Sequence, residues 1–106
     1  MRILKLKTKK RKLIRFDKLE INKIMEIYSI KISSGEWKDY SICFKNNYAL
    51  FCIHKSAFTE PTFEIMKNRN KDPIFSLWSN SKLIKKSESL SKILIYFKKP
   101  NLTLIN

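Results

Sequence analysis

The chain has 106 residues, 43% of them hydrophobic and 12% aromatic, enough apolar side chain for one packed core and too little length for two domains. It carries 23 Lys and Arg against 9 Asp and Glu, a formal net charge of +14, and no run approaches the roughly 18 uncharged apolar residues of a membrane span. A single glycine in the whole chain excludes the Gly-rich phosphate loops of Rossmann and P-loop enzymes, and with them most nucleotide-dependent catalysis.

The charge is unevenly spread. Residues 1–18 hold nine cations (Arg2, Lys5, Lys7, Lys9, Lys10, Arg11, Lys12, Arg15 and Lys18) against Asp17 alone, for +8. The remaining 88 residues hold 14 cations and 8 anions, for +6. A basic arm on a mildly basic body is the pattern of a polyanion binder, so the partner classes it implies are nucleic acid or an acidic protein. A blander source of the charge is codon bias: Lys, Ile and Asn dominate, and Lys outnumbers Arg 19 to 4, although base and phosphate clamps favour the Arg fork. The basic start lacks the apolar stretch of a secretory signal, and two cysteines without an export signal read as reduced thiols, so the expected compartment is the cytoplasm.

In chain order, residues 1–15 interleave Lys and Arg with Ile3, Leu4, Leu6, Leu13 and Ile14. They are expected to form a flexible arm, in which Lys9, Lys10, Arg11, Lys12 and Arg15 are the candidate polyanion contacts. Residues 16–106 form the single folded domain. Asp17 is an N-cap and Glu20, three residues on, completes a capping box, with Phe16 and Ile21 placed as a hydrophobic staple. Leu19, Ile21, Ile24, Met25, Ile27, Tyr28 and Ile32 then recur at helical spacing and mark a core-facing stripe. Gly35 ends this helix, because glycine enters the left-handed region without penalty.

Two strands follow. Tyr40, Ile42 and Phe44 alternate with Asp39, Ser41, Cys43 and Lys45, and Asn46-Asn47 reads as a two-residue turn because Asn tolerates positive φ. That turn sets Phe44 against Ala49, Ile42 against Phe51 and Tyr40 against Ile53, all on one apolar face. On the other face it pairs Cys43 with Leu50, Ser41 with Cys52 and Asp39 with His54. Ser56 to Pro61 is a loop. Further strands are expected at Thr62–Lys67, Ile74–Trp78 and Lys82–Ile84, the last two joined by a turn at Ser79-Asn80-Ser81. Ser87 is read as the cap of a last helix carrying Leu90, Ile93, Leu94 and Phe97, which Pro100 stops. Leu102–Ile105 is read as an edge strand or as a segment packed on the body. Helices at either end of a block of strands give an α+β fold: an antiparallel sheet of about four to five strands, with both helices on one face.

Chemistry-bearing residues are few. Asp39 opposite His54 is the one acid–base pair, but no nucleophile is fixed beside it, and a modest cross-strand ion pair accounts for it. Cys52, His54 and Asp39 could supply three ligands to Zn²⁺, yet there is no Cys-x-x-Cys and one His in all, and Cys52 reads as a small apolar core residue. No catalytic residue, metal or cofactor is therefore assigned. Trp37, at the helix-to-strand junction, either closes the edge of the core or anchors a partner, with Asp39 and His54 beside it.

The segment Gly35-Glu36-Trp37-Lys38-Asp39-Tyr40, preceded by an amphipathic helix, resembles the Gly-Glu-Trp-Arg-Asp-Tyr segment of an alphaproteobacterial family catalogued as domain of unknown function 2794. The likeness continues through the apolar strand at Ala49–Ile53, the Pro61, Phe63, Ile65 pattern and a basic turn at Lys85–Lys86 before the last helix, and covers roughly residues 17–105. The resemblance implies a compact cytosolic bacterial protein with no assigned reaction. Two functional classes follow: a non-catalytic module that binds nucleic acid or another polyanion through its arm, or a protein-interaction adaptor that uses the Trp37 junction or the open sheet face.

Overall fold

Asp17 starts the first helix, α1 (Lys18–Ser33), through the reciprocal capping box. Its carboxylate accepts the Glu20 N–H at 2.9 Å, and the Glu20 carboxylate accepts the Asp17 N–H at 2.7 Å. Two of the four orphan donors of the helix start are satisfied in this way. Phe16 is buried and Ile21 packs on the same core. At the other end Ser34 is the C-cap, and Gly35 follows at φ +82. The Glu36 N–H donates to the Lys31 carbonyl at 2.9 Å and the Gly35 N–H to the Ile32 carbonyl at 3.0 Å, the paired bonds of a Schellman ending. An apolar contact usually accompanies that motif. Here the Lys31–Glu36 ion pair, at 3.2 Å, takes its place.

The computed structural model describes residues 13–56, 60–69 and 74–98. Five strands follow α1: β1 (Asp39–Phe44), β2 (Tyr48–His54), β3 (Phe63–Asn68), β4 (Phe75–Ser79) and β5 (Lys82–Ser87). They form one antiparallel sheet in sequence order, a meander closed by α2 (Leu90–Lys98). The first hairpin has the register predicted from its alternation, from Asp39 opposite His54 to Phe44 opposite Ala49. The fold is thus the α+β arrangement read from the sequence.

Three local expectations are corrected. Among the described residues only Asn80 (φ 51), Ser81 (φ 67) and Gly35 have positive φ, so Asn46 and Asn47 do not form the predicted left-handed turn. The Lys45 carbonyl accepts the Ile14 N–H at 2.8 Å, and Arg69 clamps the Asn46 and Asn47 carbonyls through its Nε and its N–H, both at 2.9 Å. The mirror-image two-residue turn falls instead at Asn80-Ser81, where both central residues have the positive φ it needs. Second, β5 runs on to Ser87, so Lys85 and Lys86 lie in a strand and not in a turn. An irregularity between Leu77 and Trp78 adjusts the β4–β5 register. Third, Ser89 caps α2: its Oγ accepts the Lys92 N–H at 3.4 Å, while Ser87 accepts the Ser89 N–H at 3.0 Å. Pro100 and Leu102–Ile105 lie outside the described residues.

The core sits between the two helices and one sheet face. Ala49, Phe51, Ile53, Ile65, Leu77 and Ile93 have no solvent exposure, and Ile24, Ile27, Leu90, Leu94 and Phe97 close over them. Tyr40 and Phe44 lie on this face too, but each is 37% exposed because β1 is an edge strand. At Gly35 an added Cβ meets nothing within 4 Å, so Gly35→Ala should cost only the left-handed backbone penalty. Urea denaturation is expected to show a loss of about 1–2 kcal/mol with an unchanged m-value.

Candidate polyanion interface

Of the five arm residues singled out above, Lys9, Lys10, Arg11 and Lys12 lie outside the described residues, and Arg15 lies within them. The root of the arm is fixed at the tip of the β1–β2 hairpin by the Ile14 bond to Lys45. Arg15 is exposed, and its guanidinium stands 5.5 Å over the Phe44 ring. Its carbonyl accepts from the Lys67 ammonium at 2.9 Å, and the same ammonium pairs with Glu20 at 2.8 Å. Lys18 and Lys45 are exposed nearby in the chain path, at the start of α1 and beside the hairpin tip. Arg69 is drawn into the same corner by its bonds to Asn46 and Asn47. One end of the sheet therefore gathers Arg15, Lys45 and Arg69, and the basic arm leads directly into it.

Trp37 is 3% exposed. Its ring meets Phe97 edge-on at 5.0 Å and lies 6.0 Å from Tyr28 and 6.4 Å from Phe63. The indole fills the junction between the helices and the sheet, and as placed it offers no surface to a partner.

Asp39 and His54 stand opposite each other, but no ion pair joins them among the described residues. The Asp39 carboxylate instead accepts the Tyr40 N–H at 2.8 Å. The expected cross-strand ion pair is therefore corrected: capping an edge-strand donor wins over a contact of small worth between exposed groups. Cys52 turns toward Glu64, with Sγ 4.0 Å from Oε2, and no group of three or more His, Cys, Asp or Glu side chains able to hold a metal occurs among the described residues. Burial pushes the Cys52 thiol pKa up, the Glu64 and Cys43 charges add to the rise, and a hydrogen bond with Ser41 opposes it. Lys31 and Ser34 hydrogen bonds hold the Glu36 carboxyl below its ordinary range, which favours the charged partner of the Schellman ion pair.

The open sheet face, expected to carry the Cys43–Leu50 and Ser41–Cys52 pairs, also carries Met66 and Trp78. The sheet face away from the helices carries Cys43, Leu50, Cys52, Met66 and Trp78, with Cys52 buried and the others half-buried. Trp78 donates its indole N–H to Ser76 Oγ at 2.9 Å. The signal was present in β4, where Ser76 and Trp78 alternate out of phase with the core residues Phe75 and Leu77.

Three measurements check this description. Trp37→Ala should cost about 3–5 kcal/mol, the loss of a buried aromatic, and lower the thermal midpoint steeply. Cys52 should alkylate more slowly than half-buried Cys43 near neutral pH, because its thiolate is disfavoured. A raised folded-state pKa also means that the unfolded chain loses this proton first. Cys52 should therefore leave stability untouched below an ordinary thiol pKa and lower it as pH rises beyond, an effect that Cys52→Ala removes from the pH profile.

No described helix is long and apolar enough to cross a membrane. Neither a curated protein nor a solved structure matches the chain significantly. A family profile described as a protein of unknown function matches residues 14–94, from the root of the arm to the middle of α2. The Schellman-ended helix, the Trp37 junction and the five-stranded meander all fall inside that span, and the chain belongs to this family, the domain of unknown function 2794.

Proposed function

We propose that the protein is a non-catalytic binding module of the bacterial cytoplasm that engages nucleic acid or another polyanion through its basic arm. The observation that carries this reading is the bond from Ile14 to Lys45, which roots the arm at the hairpin tip beside Arg15, Lys45 and Arg69. Arg15, Lys45 and Arg69 are grouped at that tip, and the arm that carries Lys9, Lys10, Arg11 and Lys12 is joined to it through Ile14, so each phosphate contact made from either part adds to the salt dependence of binding. The family match begins at Ile14, so Lys9, Lys10, Arg11 and Lys12 precede it while Arg15, Lys18 and Lys45 lie inside. A second reading, a protein-interaction adaptor, is favoured by the half-buried Leu50, Met66 and Trp78 on the face away from the helices. It draws nothing from Trp37, whose indole is packed in the core.

Fluorescence anisotropy separates the two readings. Full-length chain is titrated into mixed-sequence single-stranded RNA and into duplex DNA across a salt series, beside a variant with Lys9, Lys10, Arg11 and Lys12 all changed to Gln. Arm-driven binding should weaken with a log–log salt slope of about −0.7 to −0.9 per phosphate contact, and the variant should lose about three to four units of slope-equivalent contacts. Lys45→Gln should remove about one more. Equal affinity of the variant and the unaltered chain, or no binding at low salt, ends the polyanion reading.

A further inference from the structure

The two edges of the sheet, β1 and β5, are protected differently. β5 reads Lys-Leu-Ile-Lys-Lys-Ser, and lysine of this density keeps an exposed edge from pairing with another chain. β1 reads Asp-Tyr-Ser-Ile-Cys-Phe, with no Lys, Arg or Pro. In an antiparallel ladder each residue turns its N–H and C=O to the same side, and the side alternates along the strand. The Lys45 N–H bonds to Tyr48 on β2, so Tyr40, Ile42 and Phe44 turn their backbone groups outward. The Tyr40 N–H has accordingly left the ladder for the Asp39 carboxylate. Tyr40 and Phe44 are also the two most exposed side chains of the helix-facing row, each at 37%.

We propose that β1 pairs antiparallel with β1 of a second copy of this chain, about a two-fold axis at Ile42. The sequence is self-complementary in that register. Ile42 meets Ile42, and Tyr40 meets the second copy's Phe44 on the helix side, an aromatic cross-strand pair. On the opposite side Asp39 falls against the second copy's Lys45, and the symmetry makes that ion pair twice. A slip of two residues in either direction destroys both matches, because Asp39 then faces Cys43 or Asn47. The Lys45 carbonyl stays with Ile14, since the pairing uses only the lysine side chain at that position. Tyr40 gives its N–H to the second copy, which frees the Asp39 carboxylate for Lys45, and Arg15 yields its place over the Phe44 ring. The two sheets become one continuous sheet.

Sedimentation velocity on the full chain, over a concentration series at fixed salt, tests this with two charge reversals. Asp39 and Lys45 are exposed, and unchanged far-ultraviolet circular dichroism, with an unchanged thermal midpoint at concentrations too low for the dimer, will show that D39K and K45D keep the fold. The unaltered chain should show a concentration-dependent dimer. Each single variant should dissociate at least about tenfold more readily, since it sets like charges opposite one another twice. An equimolar mixture of D39K and K45D should dimerise again, because that heterodimer restores both attractive pairs. An unaltered chain that stays monomeric throughout overturns the proposal. So does a dimer indifferent to both substitutions, or a mixture that shows no recovery.

Discussion

Strand β2 sets the terms for the rest of the chain. Its alternate residues Ala49, Phe51 and Ile53 have no exposure at all, and that requires a neighbour on each side and a roof of helices. Burying Phe51 or Ile53 is worth about 1.5–3 kcal/mol each, a large share of a small domain's stability. A one-residue slip against β1 or β3 would turn this row to the open face, so the hydrophobic pattern fixes register more firmly than any turn does. The roof is completed from both ends of the sequence, with Ile24 and Ile27 from α1 and Ile93, Leu94 and Phe97 from α2. Trp37 fills the seam where the two helices meet the sheet, which is why a residue beside a helix C-cap is 3% exposed.

That hierarchy explains what the sequence made legible. The β1–β2 pairing followed from a two-residue loop at Asn46-Asn47 combined with the alternation, and it is observed residue for residue, although the backbone of that loop is not the left-handed one expected. Two asparagines permit positive φ; they do not require it. Arg69 and Ile14 supply bonds to Asn46, Asn47 and Lys45 that outweigh the local preference, and neither residue is near the turn in sequence. Ser87 and Ser89 show the same limit on a smaller scale. Both are good caps, and the choice between them is set by how far β5 runs, which depends on its pairing with β4. The Asp39–His54 opposition was read correctly, but the ion pair was not. Edge position decided that, because an outward N–H one residue away gave the carboxylate a closer use.

Lysine in this chain has several physical roles, and net charge alone does not separate them. Lys67 stands in the helix-facing row of β3, opposite Ala49 and Phe75, a position that alternation assigns to an apolar residue. Its stem spans that row and its ammonium reaches the Arg15 carbonyl and Glu20, so the cation ties the sheet to the capping box of α1. Lys23 reaches Ser91 Oγ on α2 and so links the two helices across 68 residues, while Lys85 reaches the Lys92 carbonyl and ties β5 to the helix that follows it. Lys31 completes the Schellman ending with Glu36. These four are committed to the fold.

Exposed cations are not confined to one place, since Lys38, Lys55, Lys92 and Lys98 are exposed elsewhere on the body. Arg15 and Lys45 differ from them in standing beside the Ile14 bond to Lys45, where the chain from the arm joins the body. Codon bias raises lysine everywhere with equal weight and has no means of choosing one sheet end. A bias-driven surface would therefore bind phosphate weakly from all sides, and its affinity would fall by similar steps whichever lysine is neutralised. A built site would lose affinity mainly through the arm and its root. The hydrogen bond from Ile14 to Lys45 makes that difference physical, because it fixes where the arm begins relative to the cations of the hairpin tip.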